Sequence, residues 1–366
     1  MTTPLVDLLA QNREVAREIE EGFARVIASG AFVQGPEVCA FESAFAAFSG
    51  ARHCVGVASG TDAIELALRA SGIGPGDEVI LPANTFIATA EAVVRAGAVP
   101  VLVDCDPNYL LIDVDAVAKR IMPATKAVIP VHLFGQVAPM DALHEIAAET
   151  GVTIIEDAAQ SHGARQHGRQ AGTFGQAAAV SFYPGKNLGA YGDAGAVLTD
   201  SDQIAWRVRA LGNHGSMQRY QHPELGFNSR LDSLQAVVLS AKLTRLQAWN
   251  EARASAAAAY RGMLADVADV QLPMVMPGNV HVWHLFVIRL PYRDQALAAL
   301  HRAGIGAAIH YPVPIHLHGA FSYLGHRRGD FPVAEAAAAT MLSLPIYPHI
   351  TIEQQAEVVE LVVGAA

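Results

Sequence analysis

Residues 52–200 alternate short β-rich apolar runs with helical patterns, and this alternation constrains the fold more than any other feature of the chain. The runs are HCVGVAS (53–59), EVILPA (78–83), VPVLVDCD (99–106), KAVIPVHL (126–133), VTIIEDAA (152–159), AAAVSFY (177–183) and GAVLTD (195–200). Between them fall TDAIELALRA (61–70), TAEAVVRAGA (89–98) and PMDALHEIAAET (139–150), with apolar residues at helical spacing. Strands that are apolar without interruption are covered on both faces, and strand–helix–strand order implies right-handed crossovers within a mostly parallel sheet. The class is α/β. Open sheets of this kind bind ligands outside the carboxyl ends of their strands, so the residues just after each run are the ones to inspect.

Beyond residue 230 the pattern changes. A long helical stretch, LDSLQAVVLSAKLTRLQAWNEARASAAAAYRGML, leads to a strand group at VWHLFVIRL (282–290), a helix at RDQALAALHRAG and a Pro/His-rich loop, IHYPVPIHLHGAF (309–321). A single core stops growing at about 250–300 residues, so 366 residues suit two lobes. Residues 1–245 are expected to form the large lobe, with the N-terminal helix packed on it. Residues 246–366 form a smaller α+β lobe, with the long helix crossing the boundary.

No apolar run approaches the roughly 18 residues that span a bilayer. The N-terminus, MTTPLVDLLAQNREVAREIEEGF, is an acidic helical pattern without the basic and apolar regions of a targeting peptide, so a cytoplasmic protein is expected. A net charge of −10 argues against a nucleic-acid surface, which needs clustered Lys and Arg. Cys39, Cys54 and Cys105 lack metal-ligand spacing and lie in apolar segments, the pattern of buried thiols in a reducing compartment. Metal readings of His316 with His318, or of His281 with His284, lack a neighbouring cysteine or carboxylate at ligand spacing. GIGPGD (72–77) follows a helix rather than a strand and lacks dinucleotide-binding spacing.

Strand ends carry the chemistry. Ser59-Gly60-Thr61-Asp62 leads from the first run directly into a helix; such a turn presents free amides to an anion, or Ser59 or Thr61 is a plain N-cap. Asp157, in EDAAQSHGA with Gln160 and His162, follows a buried strand, where a carboxylate either meets a cation or caps the next segment. SFYPGKNLGAYGDAGAVLT sets Ser181 and Lys186 in a loop too apolar for an ordinary solvated one. A desolvated ammonium loses pKa and becomes a usable nucleophile. A phosphate cradle (Gly60, Thr61, Ser181), an acid for a protonated ring nitrogen (Asp157), a nucleophilic amine (Lys186) and a stacking aromatic (Phe86) together match a site for pyridoxal 5'-phosphate.

Six ordered blocks, SGTDAIELAL, LPANTFIATAEAVVRAGAVPVLVDCDP, PVHLFGQVAPMD, IIEDAAQSHGA, SFYPGKNLGAYGDAGAVLT and GFNSRLDSLQAVVL, closely resemble the DegT/DnrJ/EryC1/StrS sugar aminotransferases. The resemblance implies the aspartate-aminotransferase fold (fold type I) and a homodimer with active sites at the subunit interface. It makes Lys186 the lysine that binds the cofactor aldehyde, Asp157 the partner of the ring nitrogen and Gln160 the donor to the ring hydroxyl. Ser181 with the Gly60 and Thr61 amides would hold the phosphate, Phe86 would lie on the ring, and Asn228 would reach the phosphate from the neighbouring subunit. Relatives that are dehydratases carry histidine at the position of Lys186, so lysine speaks for transamination. Ala194, where the family often has glycine, is a small departure.

Similarity in 212–232, WHLFVIRL and HYPVPIHLHGAF is greatest to members that aminate the 3-oxo carbon of a dTDP-linked 6-deoxyhexose, with L-glutamate as the implied donor. A 4-oxo nucleotide-sugar aminotransferase is the nearest competitor, followed by a dehydratase and a non-catalytic relative. Arg219, His222, His310 and Tyr311 are the candidates for substrate contacts, with Tyr183 beside the sugar.

Overall fold

The computed structural model describes residues 3–218 and 220–365. The seven apolar runs of 52–200 each form a strand: β1 (His53–Val57), β2 (Glu78–Pro82), β3 (Val99–Val103), β4 (Thr125–Val128), β5 (Thr153–Asp157), β6 (Ala177–Ser181) and β7 (Gly195–Thr199). They share one sheet in the order β1-β7-β6-β5-β4-β2-β3. From β3 through β6 every neighbouring pair is parallel. β7 runs antiparallel to both β6 and β1, because segment 182–194 returns without the helical crossover that a parallel neighbour requires.

The uninterrupted apolar runs are explained by cover on both faces. In β2, Val79 and Leu81 pack with Leu66 of α3 (Gly60–Ala70) and Val93 of α4 (Ile87–Ala96), whereas Ile80 joins a separate core with Met140 and Leu143 of the helix Met140–Thr150. Side chains alternate along a strand, so a residue of either parity meets a helix. The N-terminal helix α1 (Leu8–Ser29) starts at Asp7, whose carboxylate accepts from the Ala10 amide at 3.0 Å. Its Val15 and Ile19 pack on Val238.

The stretch expected as one long helix is two, Ser233–Leu243 and Leu246–Leu264, broken at Thr244–Arg245. Leucine spacing continues through the break, so periodicity alone hides it. Of the run 282–290 only Phe286–Arg289 is a strand, paired antiparallel with Met341–Leu344. Trp283, at φ 50°, leaves extended geometry just before it. The loop 309–321 contains the 3-10 turn Ile315–Leu317 and enters a second, Gly319–Leu324. Cys54 and Cys105 are buried, but Cys39 is exposed: its helix, α2 (Pro36–Ser49), buries Val38, Phe41, Glu42, Phe45, Ala46 and Ser49, and Cys39 falls on the other face. Among the described residues no helix is long and apolar enough to cross a membrane, and no cluster of three metal-ligating side chains occurs.

Candidate active site

A cleft of about 590 Å³ opens at the carboxyl ends of β1, β2, β5 and β6 and is walled on its far side by His284, Leu285, His310 and Tyr311. Each near-side residue arrives by a short route from a strand. Ser59 follows β1 and caps α3, its Oγ accepting from the Asp62 amide at 3.1 Å. The Ala63 amide bonds the Ser59 carbonyl. The first amides of a helix have no acceptor within it, and those of Gly60 and Thr61 line the cleft. Of the two roles left open for Ser59-Gly60-Thr61, the cap is made by Ser59, while Gly60 and Thr61 face the cleft. Gly60 has no room for a side chain: a Cβ there would stand 2.6 Å from Ser181 Cβ. The close approach brings Ser181, at the end of β6, against the start of α3.

Asp157 ends β5 and is 5% exposed. Its Oδ2 accepts from Thr89 Oγ1 at 2.8 Å and its Oδ1 from the Ala159 amide at 3.1 Å. The preceding residue, Glu156, points to the opposite face of the sheet. There it accepts from His132 Nε2 (2.7 Å) and the amides of Gly172 (2.7 Å) and Gly175 (2.6 Å). Strand alternation separates the two acids into a cleft carboxylate and a fully bonded structural one. Gln160 is oriented by the Phe134 amide, which donates to its Oε1 at 2.6 Å, so Nε2 is the donor edge and reaches Tyr311 Oη at 3.0 Å. Phe86 caps α4 with half its surface exposed and lies 5.2 Å from the Tyr311 ring.

Lys186 sits on the β6–β7 connection. That loop is drawn in by Phe182 N to Ala194 O, Ala190 N to Phe182 O and Lys186 N to Tyr183 O. It is held from behind by the helix Ser233–Leu243: Lys242 Nζ donates to Gly189 O at 2.9 Å, and the Tyr191 amide donates to Gln235 Oε1 at 2.8 Å. The Lys186 side chain lines the cleft and is partly buried there. Desolvation lowers its pKa to about 8, and the Asp157 charge opposes that shift. His310, whose Nδ1 lies 2.8 Å from Ser343 Oγ, is pushed down to about 4 by burial and then by Lys186. Burial, with Asp157 nearby, raises the Tyr311 phenol.

The cleft thus brings together Gly60, Thr61, Phe86, Asp157, Gln160, Ser181, Tyr183, Lys186, His310 and Tyr311. Asn228 and His222 do not line it. Both are exposed; Asn228 bridges to Asn213, and His222 Nδ1 lies 2.9 Å from the His214 carbonyl. Arg219 lies outside the described residues. Sequence reasoning passed over Thr89 and the cleft position of His284. Thr89 lies one helical turn after Phe86, a spacing that puts both at the same end of α4; His284 carried no comparable signal.

These residues fit pyridoxal 5'-phosphate by the chemistry of the donor set. A side-chain-free approach at Gly60 leaves paired amides beside a serine for an anion, and a buried carboxylate and an amine of depressed pKa line the same cleft.

A profile of the DegT/DnrJ/EryC1/StrS aminotransferase family matches residues 13–363. The chain is 47% identical over 359 residues to the dTDP-3-amino-3,4,6-trideoxy-alpha-D-glucose transaminase of Streptomyces venezuelae, covering 98% of this chain and 95% of that protein. It is 45% identical over 359 residues to the UDP-N-acetyl-3-dehydro-alpha-D-glucosamine 3-aminotransferase of Acidithiobacillus ferrooxidans, covering 98% and 96%. The crystal structure of S. venezuelae DesV in complex with a ketimine intermediate superposes with a TM-score of 0.97 at 46% identity, over 99% of this chain and 98% of that one.

Proposed function

Because the chain belongs to the DegT/DnrJ/EryC1/StrS aminotransferase family, we propose that it is a pyridoxal-phosphate-dependent aminotransferase acting on the 3-oxo carbon of a dTDP-linked 3-oxo-6-deoxyhexose, with L-glutamate as donor. The observation that carries the reading is the pairing within one cleft of Lys186, its pKa lowered to about 8, with the buried Asp157. The two relatives described above are named for different nucleotides but both for a 3-amino or 3-dehydro sugar, which favours position 3 over position 4.

When bound, the cofactor supplies the aldehyde and the electron-accepting ring on which an amino group is carried from donor to acceptor. The chain's own groups hold and serve it. Gly60 and Thr61 amides with Ser181 Oγ would hold the phosphate dianion, a charge-assisted set at a helix N-terminus. Asp157, steadied by Thr89 and the Ala159 amide, would keep a proton on the ring nitrogen. Gln160 would present Nε2 to the ring hydroxyl, and Phe86 would cover a ring face. Lys186 would be the amine that carries the proton during the transfer, for which a pKa near the working pH suits both uptake and release.

Tyr183, His310 and Tyr311, which line the cleft, would flank the sugar; for the nucleotide diphosphate we propose Arg219 and His222, neither of which is among the described lining residues of the cleft. Asn228 reaches the phosphate of the partner subunit's cofactor in a homodimer, in keeping with its exposure away from its own cleft. The cellular setting we assign is the cytoplasm.

The test is incubation of the purified protein with L-glutamate and a panel of dTDP- and UDP-linked 3-oxo and 4-oxo sugars, with NMR of the product to locate nitrogen. Amination at C3 of a dTDP sugar is expected. Nitrogen at C4 would refute the position, and loss of a sugar hydroxyl without an amino product would replace the transaminase by a dehydratase.

A further inference from the structure

Behind Lys186 runs a chain of buried hydrogen bonds whose direction is set at two places by backbone carbonyls. Asn187 is 2% exposed. Its side-chain nitrogen donates to the Val282 carbonyl at 2.9 Å and to Asn250 Oδ1 at 2.9 Å. A carbonyl only accepts, so the Asn187 amide has a single orientation and its Oδ1 is an acceptor. Asn250 is fixed in the same way, with Nδ2 donating to the His162 carbonyl at 2.8 Å. The remaining partner of Asn187 Oδ1 is His284 Nδ1 at 3.2 Å. Two acceptors cannot bond, so His284 carries its proton on Nδ1 and keeps a lone pair on Nε2.

His284 lines the cleft together with Lys186. Its Nδ1 edge faces back toward Asn187, so the opposite edge, with Nε2, is turned to the cleft. We infer that His284 is a positioning residue for Lys186: locked as the Nδ1–H tautomer by Asn187, it offers Nε2 as a neutral acceptor that holds the Lys186 ammonium, directly or through one water, whenever that side chain is free. The imidazole stays neutral because burial, then the positive charges of Lys186 and Arg253, oppose its protonation, with His162 and His310 on the same side of the balance. Asp157 is the acid facing Lys186 from β5. A carboxylate in place of His284 would raise the lysine pKa and oppose the free amine; a neutral ring orients the amine while leaving its pKa depressed.

The inference rests on Lys186 being the reactive amine, and the test separates the two claims. In the full chain without cofactor, trace acylation by acetic anhydride across pH, read peptide by peptide by mass spectrometry, gives the apparent pKa of Lys186. His284→Asn keeps a donor where Nδ1 was and loses the Nε2 acceptor; His284→Gln reaches the Nε2 position and loses the tie to Asn187. The expected result is a Lys186 pKa about one unit lower in His284→Asn, the difference between hydrogen bonds to charged and neutral donors, and a value restored to the parent's in His284→Gln. The reverse order, or equal shifts in both, would mean that His284 only braces Asn187 and would overturn the inference. Ring ¹⁵N shifts of the unsubstituted protein, assigned through contacts to the Asn187 side chain, give an independent reading: an Nε2–H tautomer overturns it without any variant. Borohydride trapping of pyridoxal phosphate at Lys186 is scored separately, since its failure would sink the functional reading and leave the acylation result standing.

Discussion

Gly60→Ala isolates the phosphate cradle from the rest of the cleft. The new methyl would stand 2.6 Å from Ser181 Cβ and 3.1 Å from both Ser181 Cα and Oγ. Ordinary contact begins near 3.4 Å, so Ser181 and the start of α3 must separate by about 0.8 Å. Crowding of this kind costs about 1–3 kcal/mol, and alanine returns roughly 0.5–1 kcal/mol over glycine in a helix, so the fold survives. The separation is enough to break a charge-assisted hydrogen bond from Ser181 Oγ to a phosphate that also sits on the Gly60 and Thr61 amides. Loss of such a bond, about 1.5–3 kcal/mol, weakens cofactor binding about 10- to 150-fold. The assay is equilibrium dialysis of the variant against pyridoxal phosphate and, in parallel, against pyridoxal, which lacks the phosphate. Pyridoxal phosphate should lose affinity and pyridoxal should not. Equal losses for both ligands, or none for either, would refute the cradle.

Asp157→Asn should leave the cofactor trapped at Lys186 but reduce turnover at least about a hundredfold, because an amide does not hold a proton on the ring nitrogen as a carboxylate does; single-turnover kinetics with L-glutamate measure it. The same change removes the charge that raises the Lys186 pKa, which should therefore fall below about 8 in trace acylation. For the parent, the rate constant for condensation of the cofactor-free chain with pyridoxal phosphate should level off above pH about 8. Below that value it should drop about tenfold per pH unit, since the ammonium cannot attack; a stopped-flow profile still rising toward the ordinary lysine value of 10.5 would contradict a desolvated amine. Glu156→Gln places an NH2 group against donors supplied by His132, Gly172 and Gly175, and should cost roughly 2–4 kcal/mol in chemical denaturation while leaving the activity of the folded fraction unchanged.

Local signals were sufficient for the seven strands of the large sheet, because a strand covered on both faces must be apolar at every position, and Val79, Ile80 and Leu81 obey that rule one by one. They were also sufficient to bring Lys186, Asp157 and Ser181 to one cleft, since each ends or follows such a strand. Sequence was silent wherever the determining neighbour is remote in the chain. It did not reveal that β7 inserts antiparallel beside β6. Nor did it reveal that Thr89 donates to a carboxylate 68 residues away, or that Asn187 sets the tautomer of a histidine 97 residues on. The helix break at Thr244–Arg245 escaped periodicity because its apolar spacing continues through it.

Composition and pattern can specify which residues must be buried and which must be presented at a strand end, since burial and backbone geometry act over a few residues. The direction of a hydrogen bond, the tautomer of an imidazole and the depressed pKa of a lysine depend on groups that meet only when the chain has closed on itself. For this protein the amino acids chose which groups stand at the strand ends, and tertiary packing decided how they are held and charged: Thr89 against Asp157, burial and Asp157 about Lys186, and Asn187 with Asn250 behind His284.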